Sequence, residues 1–320
     1  MIDYSAAAPE IFLAVAICAL LLVDVYLRDD QRGITYLLAM ATLAGTAVVS
    51  AYFSVDRTVV TFFGSFVADP ASGALKMLAY LIVALVFLYS RDHLKNSGLF
   101  HGEFFVLSLF GLLGVMVMIS AGSMLTMFLG LELLALSQYA LVALNRDSAV
   151  AAESAMKYFV LGAIASGTLL YGISLLYGVT GTLEFAALAD RLSAPGGITL
   201  PATLGLAFVI VGVAFKFGAV PFHMWLPDVY QGAPTPVTLY ISSAPKIAAF
   251  ALAWRVLSEA LEPMHGGWQG MLVVLCVLSL AIGNVVAIAQ ANLKRMLAYS
   301  TISHVGFILM GFIAGTRDGL

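Results

Sequence analysis

Charge is scarce in this sequence: only 10% of its 320 residues are Asp, Glu, Lys or Arg, and the net charge is −3. No basic surface is available for nucleic acid, so that class of partner is excluded. Cysteine is scarcer still. Cys18 and Cys276 lie far apart inside apolar runs with no histidine at metal-ligand spacing. Neither an iron–sulfur site nor a structural disulfide is expected, and both read as ordinary membrane-core residues. No Gly-rich dinucleotide fingerprint follows a strand, and no histidine pair is placed across helices to hold a haem. No redox centre is expected in this chain.

Apolar residues fill the space that charge leaves, at 62% of the sequence with a mean hydropathy of +1.00. Runs of about 20 apolar residues recur, the length that crosses a bilayer. The expected fold is an all-α polytopic membrane protein with about ten transmembrane helices. They fall near 9–28, 34–53, 73–90, 103–120, 122–144, 152–177, 201–220, 236–257, 268–290 and 295–314. Residues 55–67 alternate like a short hairpin or strand outside the membrane. Residues 178–200 read as a polar loop with a surface helix from Glu184 to Arg191. The opening "MIDYSAAAPEIF" lacks the basic n-region of a cleaved secretory signal, so the first run is expected to be a mature transmembrane helix. Loop cations fall in two groups: Arg28, Arg32, Arg91, Lys95, Arg146, Lys294 and Arg295 on one side, Arg57, Lys76, Arg191, Arg255 and Arg317 on the other. The bias places the N-terminus outside and the first loop in the cytoplasm.

Three lysines and a carboxylate are left inside the spans: Lys157, Lys216, Lys246 and Glu132. Each isolated charge at mid-bilayer costs roughly 2.5–3.5 kcal/mol on insertion scales. Such groups need partners, water or a purpose. Glu132 and Lys246 each lie about ten residues into their spans, near 15 Å at a rise of about 1.5 Å per residue, the midplane of a ~30 Å core. Lys216 joins that level if its span runs on through Leu226, whereas Lys157 lies nearer the cytoplasmic end. A row within the membrane plane is the expectation. The plainer readings are a snorkelling Lys157, a structural pair between Glu132 and one lysine, an interfacial pair of Asp24 with Arg28, and an Arg255 that snorkels outward. His93, His101 and His265 fall in loops.

The stretch "FKFGAVPFHMWLPD" explains how an amine can sit there. Gly218 loosens the helix, Pro221 removes a backbone donor, and the residue before a proline avoids helical geometry. The seventh span is therefore expected to be discontinuous just past Lys216, and broken backbone at depth is tolerated only beside protein or water. "SSAPKIAAF" repeats the device with Pro245 before Lys246. His223, just past the break, and His304, some ten residues into the last span, are candidate relays because imidazole titrates near neutrality.

"LGLELLALSQYALVAL", "ESAMKYFVLGAIASGTLLYG", "FKFGAVPFHMWLPDVYQGAPTPVTLYISSAPKIAAF" and "NLKRMLAYSTISHVGFILMG" closely resemble the antiporter-like membrane subunits of respiratory complex I. The likeness covers most of the chain from about residue 100. It implies that Glu132, Lys157, Lys216 and Lys246 are the proton-pathway residues of successive helices, with His223 past the helix break and His304 on the tenth helix. It also implies an antiporter-like inverted-repeat fold of about fourteen helices, here truncated in its second repeat. Residues 1–100 hold helices 1–3 with the extramembrane loop, 101–260 the first proton-channel repeat, and 261–320 the start of the second. The implied function is proton translocation in the bacterial inner membrane, driven by quinone reduction elsewhere in the complex. NADH, FMN, iron–sulfur clusters and quinone would belong to partner subunits, with no cofactor or metal in this chain. Its partners would be the lipid bilayer and the other membrane subunits of the complex.

Burial weakens a lysine's hold on its proton and a nearby carboxylate restores it. Unit charges about 4 Å apart at an effective dielectric near 20 interact by about 4 kcal/mol. That exceeds the roughly 2.3 kcal/mol needed to move one charge against 100 mV. A change in the separation of Glu132 and Lys216 is therefore expected to be a large enough drive. Two other readings stay open. One is a subunit of a multisubunit Na+/H+ antiporter, which shares the broken helices and lysines. The other is a structural membrane scaffold without an ion path.

Overall fold

A computed structural model describes residues 3–315. Among them, ten helices are long and apolar enough to cross a membrane, the number expected from the sequence. In chain order the elements are α1 (Ala8–Tyr26), α2 (Arg32–Tyr52), β1 (Val59–Thr61), β2 (Phe66–Ala68), α3 (Pro70–Asn96), α4 (Gly102–Ile119), α5 (Met124–Val142) and α6 (Ala149–Thr180). They continue with α7 (Phe185–Ser193), α8 (Leu200–Phe217), α9 (Trp225–Gly232), α10 (Thr235–Ile241), α11 (Ala244–Ala253), a π-helical turn Trp254–Ala260, α12 (His265–Ile288) and α13 (Leu293–Ala314). The chain groups into two compact units: the residues up to Ala152 with Ala233–Ala251, and Glu153–Gly232 with the residues from Leu252 onward.

Helix is the default because lipid offers no partner to an open backbone group. The ends are fixed by short polar signals. Asp69 accepts from Ser72 N–H at 2.7 Å while its own N–H donates to Ser72 Oγ at 2.9 Å, a reciprocal cap that opens α3 with Pro70 in its first turn. The third span therefore starts earlier than the apolar run alone indicates. Ser123 and Thr199 cap α5 and α8 in one direction only, their hydroxyls accepting from Thr126 and Ala202 N–H.

In the first unit α4 is the core helix, packed by α1, α2, α3 and α5. At the crossing of α4 and α5 the backbones touch: a Cβ on Gly114 would lie 2.6 Å from the Gly130 carbonyl oxygen. The buried Tyr240 of α10 donates to the Ser108 carbonyl of α4 at 2.8 Å. The hairpin β1–β2 lies where the alternation in 55–67 pointed, shifted by a few residues. Val67 N–H donates to Ser120 O at 2.8 Å and Gly122 N–H to Ser65 O at 2.9 Å, so the hairpin is tied to the α4–α5 turn. In the second unit α12 packs along α13 and against α8, α9 packs on α13, and α7 buries Phe185, Leu188 and Leu192 against the π turn.

Three charge expectations are corrected. Lys76 is not a loop cation: it is 4% exposed, with Nζ 2.6 Å from Glu10 Oε1 of α1. Arg255 does not snorkel. It is 2% exposed, 2.7 Å from Glu259 Oε1 and stacked at 4.6 Å over the Trp254 ring, so counter-charge and aromatic face replace the headgroups. Asp24 pairs with Arg32 rather than Arg28, at 2.9 Å, and accepts from Thr35 Oγ1 at 2.5 Å; Arg28 follows the helix end and points to solvent. Arg317 lies outside the described residues.

The α4–α5 contact makes a simple prediction. Gly114→Ala is expected to destabilise the protein by about 1–3 kcal/mol through overpacking. Gly167→Ala on α6, where a Cβ would meet nothing within 4 Å, is expected to be neutral. Thermal unfolding in detergent measures both, and equal stability of the two variants would contradict the close approach.

Candidate functional site

The second unit holds the helix end that the Gly218 and Pro221 signals pointed to. Helix α8 stops at Phe217 because Gly218 takes a left-handed backbone, φ +78°. A side chain there would also sit 2.5 Å from Leu226 Cδ1. The freed groups are re-satisfied. Gly218 and Ala219 N–H both reach the Ala214 carbonyl at 2.9 Å, and Val220 N–H donates to Ser279 Oγ of α12 at 2.9 Å. Trp225 Nε1 donates back to the Phe215 carbonyl at 3.0 Å, and Tyr158 of α6 stacks on that indole at 4.6 Å. Lys216, at 9% exposure, occupies the last turn before this gap. His223 lies half-buried inside it, its ring 6.3 Å from Tyr299.

Where helix resumes, Asp228 of α9 collects charge from two other helices. Its Oδ2 lies 3.0 Å from Lys157 Nζ of α6, and its Oδ1 lies 2.5 Å from Arg295 Nη1 of α13. Lys157 also pairs with Glu153 one turn before it, at 2.8 Å, and Arg295 also reaches Gln231 Oε1 at 3.2 Å. Ser154 Oγ donates to the Asp228 carbonyl at 3.1 Å. The lysine side chain is 46% exposed, so Lys157 is a partnered, partly open group.

The first unit holds the other two candidates. Glu132 on α5 is half-buried, and its Oε1 is buried without a hydrogen-bond partner among the described residues. Lys246 is the third residue of α11 and half-buried. Helix is interrupted before it at Ser242 and Ser243, since Pro245 cannot donate to a carbonyl one turn back. At the interruption Ser243 Oγ donates to Leu239 O at 2.7 Å, and Ser242 Oγ to the same carbonyl at 3.1 Å. His304 faces outward from α13 in the second unit, its ring 6.3 Å from Phe307.

Four groups escaped the sequence reading. Asp228 stood at the end of the quoted stretch but drew no role, although an acidic residue just after Pro227 on a short helix is a signal. Glu153 precedes Lys157 by one helical turn, which the spacing alone could have revealed. Arg295 was placed among loop cations, and Glu10 was passed over near a helix start. Of the cysteines, Cys18 is exposed on α1, and Cys276 Sγ donates to Gly306 O at 3.2 Å.

The family model described as NADH:quinone oxidoreductase/Mrp antiporter, TM, matches residues 121–320. NADH-quinone oxidoreductase subunit N of Thioalkalivibrio sulfidiphilus (strain HL-EbGR7) is 57% identical over 318 residues, covering 99% of this chain and 66% of that protein. The subunit of the same name from Thiobacillus denitrificans (strain ATCC 25259 / T1) is 54% identical over 319 residues, covering 100% of this chain and 66% of its own length. The chain therefore spans 66% of the length of both relatives. Among solved structures, a chain of respiratory complex I from Thermus thermophilus with bound aureothin aligns with a TM-score of 0.81 at 33% identity, over 97% of this chain and 65% of that one. A chain of the Mrp complex from Dietzia sp. DQ12-45-1b shares the fold at a TM-score of 0.83 and 23% identity, over 98% of this chain and 60% of that one.

The Asp228 hub predicts unequal costs. Asp228→Asn removes two ion pairs at once and is expected to lower stability by about 1–2 kcal/mol, whereas Glu153→Gln, at a carboxylate 66% exposed, is expected to change it by under ~0.5 kcal/mol. Comparing the unfolding temperatures of the two variants checks the ranking.

Proposed function

This chain belongs to the NADH:quinone oxidoreductase/Mrp antiporter transmembrane family, and from that premise we propose that it is the proton-translocating portion of a membrane subunit of an NADH–quinone oxidoreductase. The observation that carries the reading is Lys216. An amine nine-tenths buried stands at the last turn of a helix, beside backbone that has left the helix and a half-buried imidazole. An ammonium in such a place can hold a proton or give it up according to the charge around it.

In this reading Lys157 takes protons from the cytoplasmic side, Lys216 and Lys246 pass them on through water, and His223 and His304 serve as relays. Glu132 sets how firmly Lys216 keeps its proton. The support is the sequence depth of these groups, the interrupted helices beside Lys216 and Lys246, and membership of the family. Quinone reduction elsewhere in the assembly supplies the drive. NADH, FMN, iron–sulfur clusters and quinone are proposed to sit in partner subunits, and this chain acts as a translocase component without a redox centre. The bacterial inner membrane is the proposed location, with the N-terminus on the periplasmic side.

Lys216→Met and Glu132→Ala, introduced into the full-length protein in its complex, are expected to abolish most quinone-linked proton pumping while assembly persists. The ratio of protons moved to electrons transferred in membrane vesicles measures this. A normal ratio in both assembled variants would reject the assigned roles, and pumping that requires sodium would favour a Na+/H+ antiporter instead.

A further inference from the structure

The buried pair Glu10–Lys76 has no place in the proposed row, and its surroundings are those of a site. Glu10 is the third residue of α1 and Lys76 the seventh of α3, about 3 Å and 9 Å from their helix starts at a rise of about 1.5 Å per residue. Both side chains are more than nine-tenths buried, with Nζ and Oε1 2.6 Å apart. Both carboxylate oxygens are buried and neither makes a hydrogen bond among the described residues; Oε1 meets Lys76 as an ion pair, and Oε2 is left an orphan. Lys76 Nζ also lies 5.2 Å over the Phe66 ring of β2. Tyr80, one turn further along α3, lies within electrostatic reach of Glu10.

Lys76 has a second face. It forms part of the wall of a cavity of about 250 Å³ at the hairpin end of α1–α3, lined also by Ser50, Ser54, Asp56, Asp69 and Ser72. Its lining mixes these polar groups with apolar ones, and a volume of that size has room for several water molecules. Two carboxylates face it: Asp56 on the approach to the hairpin, and Asp69, already engaged in capping α3. Lys76 thus joins the lining of a partly polar cavity to a carboxylate whose oxygens make no hydrogen bond.

We propose that Glu10 and Lys76 form a proton-exchange site, separate from the Glu132–lysine row, that trades protons with water in this cavity. A hydronium ion gives its proton to the Lys76 nitrogen as the ammonium passes one of its own to Glu10. At Nζ one N–H bond forms and one breaks, an O–H bond forms on the carboxylate, and a water molecule is left. The pair goes from neutral to one positive charge. The orphan oxygen is where a proton can settle without displacing an existing hydrogen bond. The exchange holds whether or not protons cross the whole membrane, so its test is independent of the proposed pumping function.

The test uses the full-length protein assembled in its native membrane, in a background with Cys18 and Cys276 replaced by alanine. Lys76→Cys is expected to react with a small cationic methanethiosulfonate at least tenfold faster than a cysteine at the outward-facing Leu81. Should Lys76→Cys fail to assemble, Ser50→Cys on the same wall reports the same access. In the otherwise unaltered protein, infrared difference spectra between pH 5 and 10 are expected to show a carboxylic-acid band that shifts in D2O and is lost in Glu10→Gln. Both signals support the proposal. Labelling no faster than at Leu81, or spectra unchanged by Glu10→Gln, overturns it and leaves the pair as a fixed strut.

Discussion

A charge placed in an apolar slab must meet an opposite charge, and most of the polar architecture of this chain follows from that. Removing an ion from water costs several kcal/mol, which only close pairing with further hydrogen bonds offsets. Lys76 meets Glu10, Arg32 meets Asp24 with Thr35 on the other oxygen, and Arg255 meets Glu259 above an indole face. Asp228 answers Lys157 and Arg295 together. Apart from the Arg255–Glu259 pair, each joins helices that apolar packing alone would leave free to slide. The ion pairs fix register, and the close glycine contact of α4 with α5 fixes distance.

The backbone obeys the same constraint in neutral form. Where α8 ends and where α10 gives way to α11, carbonyls and amides lose their helical partners in an apolar setting. Each is answered locally: by the left-handed turn at Gly218, by the Ser279 hydroxyl and the Trp225 indole in one place, and by two serine hydroxyls in the other. A lysine lies beside each interruption: Lys216 in the last turn of α8 and Lys246 in the first turn of α11.

This explains which features the sequence could disclose. Span number, the hairpin, the α7 surface helix and the end of α8 beyond Lys216 all rest on local signals: run length, alternation, a Gly–Pro spacing. The partners of charges do not. Lys76 looked like a loop cation because it follows "DPASGA" near a helix start, and nothing in its neighbourhood announces a carboxylate on α1. Arg255 looked free to snorkel because a linear reading cannot see a π turn that brings Glu259 and Trp254 to the guanidinium. Asp24 had a basic neighbour four residues on, but the helix stops at Tyr26, and Arg32 on the next helix is better placed. Asp228 is the sharpest case, since its identity was plain but its two partners lie on α6 and α13.

How completely each carboxylate is used separates a fastening from a group with capacity to spare. Asp24 has a partner on each oxygen, and so does Asp228. Removing either one forfeits contacts that lock helices together, so both serve as clasps. Glu10 sets one oxygen against the Lys76 ammonium while neither of its oxygens makes a hydrogen bond, and Glu132 has a buried oxygen without a hydrogen bond among the described residues. A bare buried oxygen has given up its water without a hydrogen bond in return. At Glu10 the ion pair with Lys76 is what offsets that loss. Among the described residues Glu10 and Glu132 are the two carboxylates whose buried oxygens stand in that condition, so they are where this structure leaves polar capacity unused.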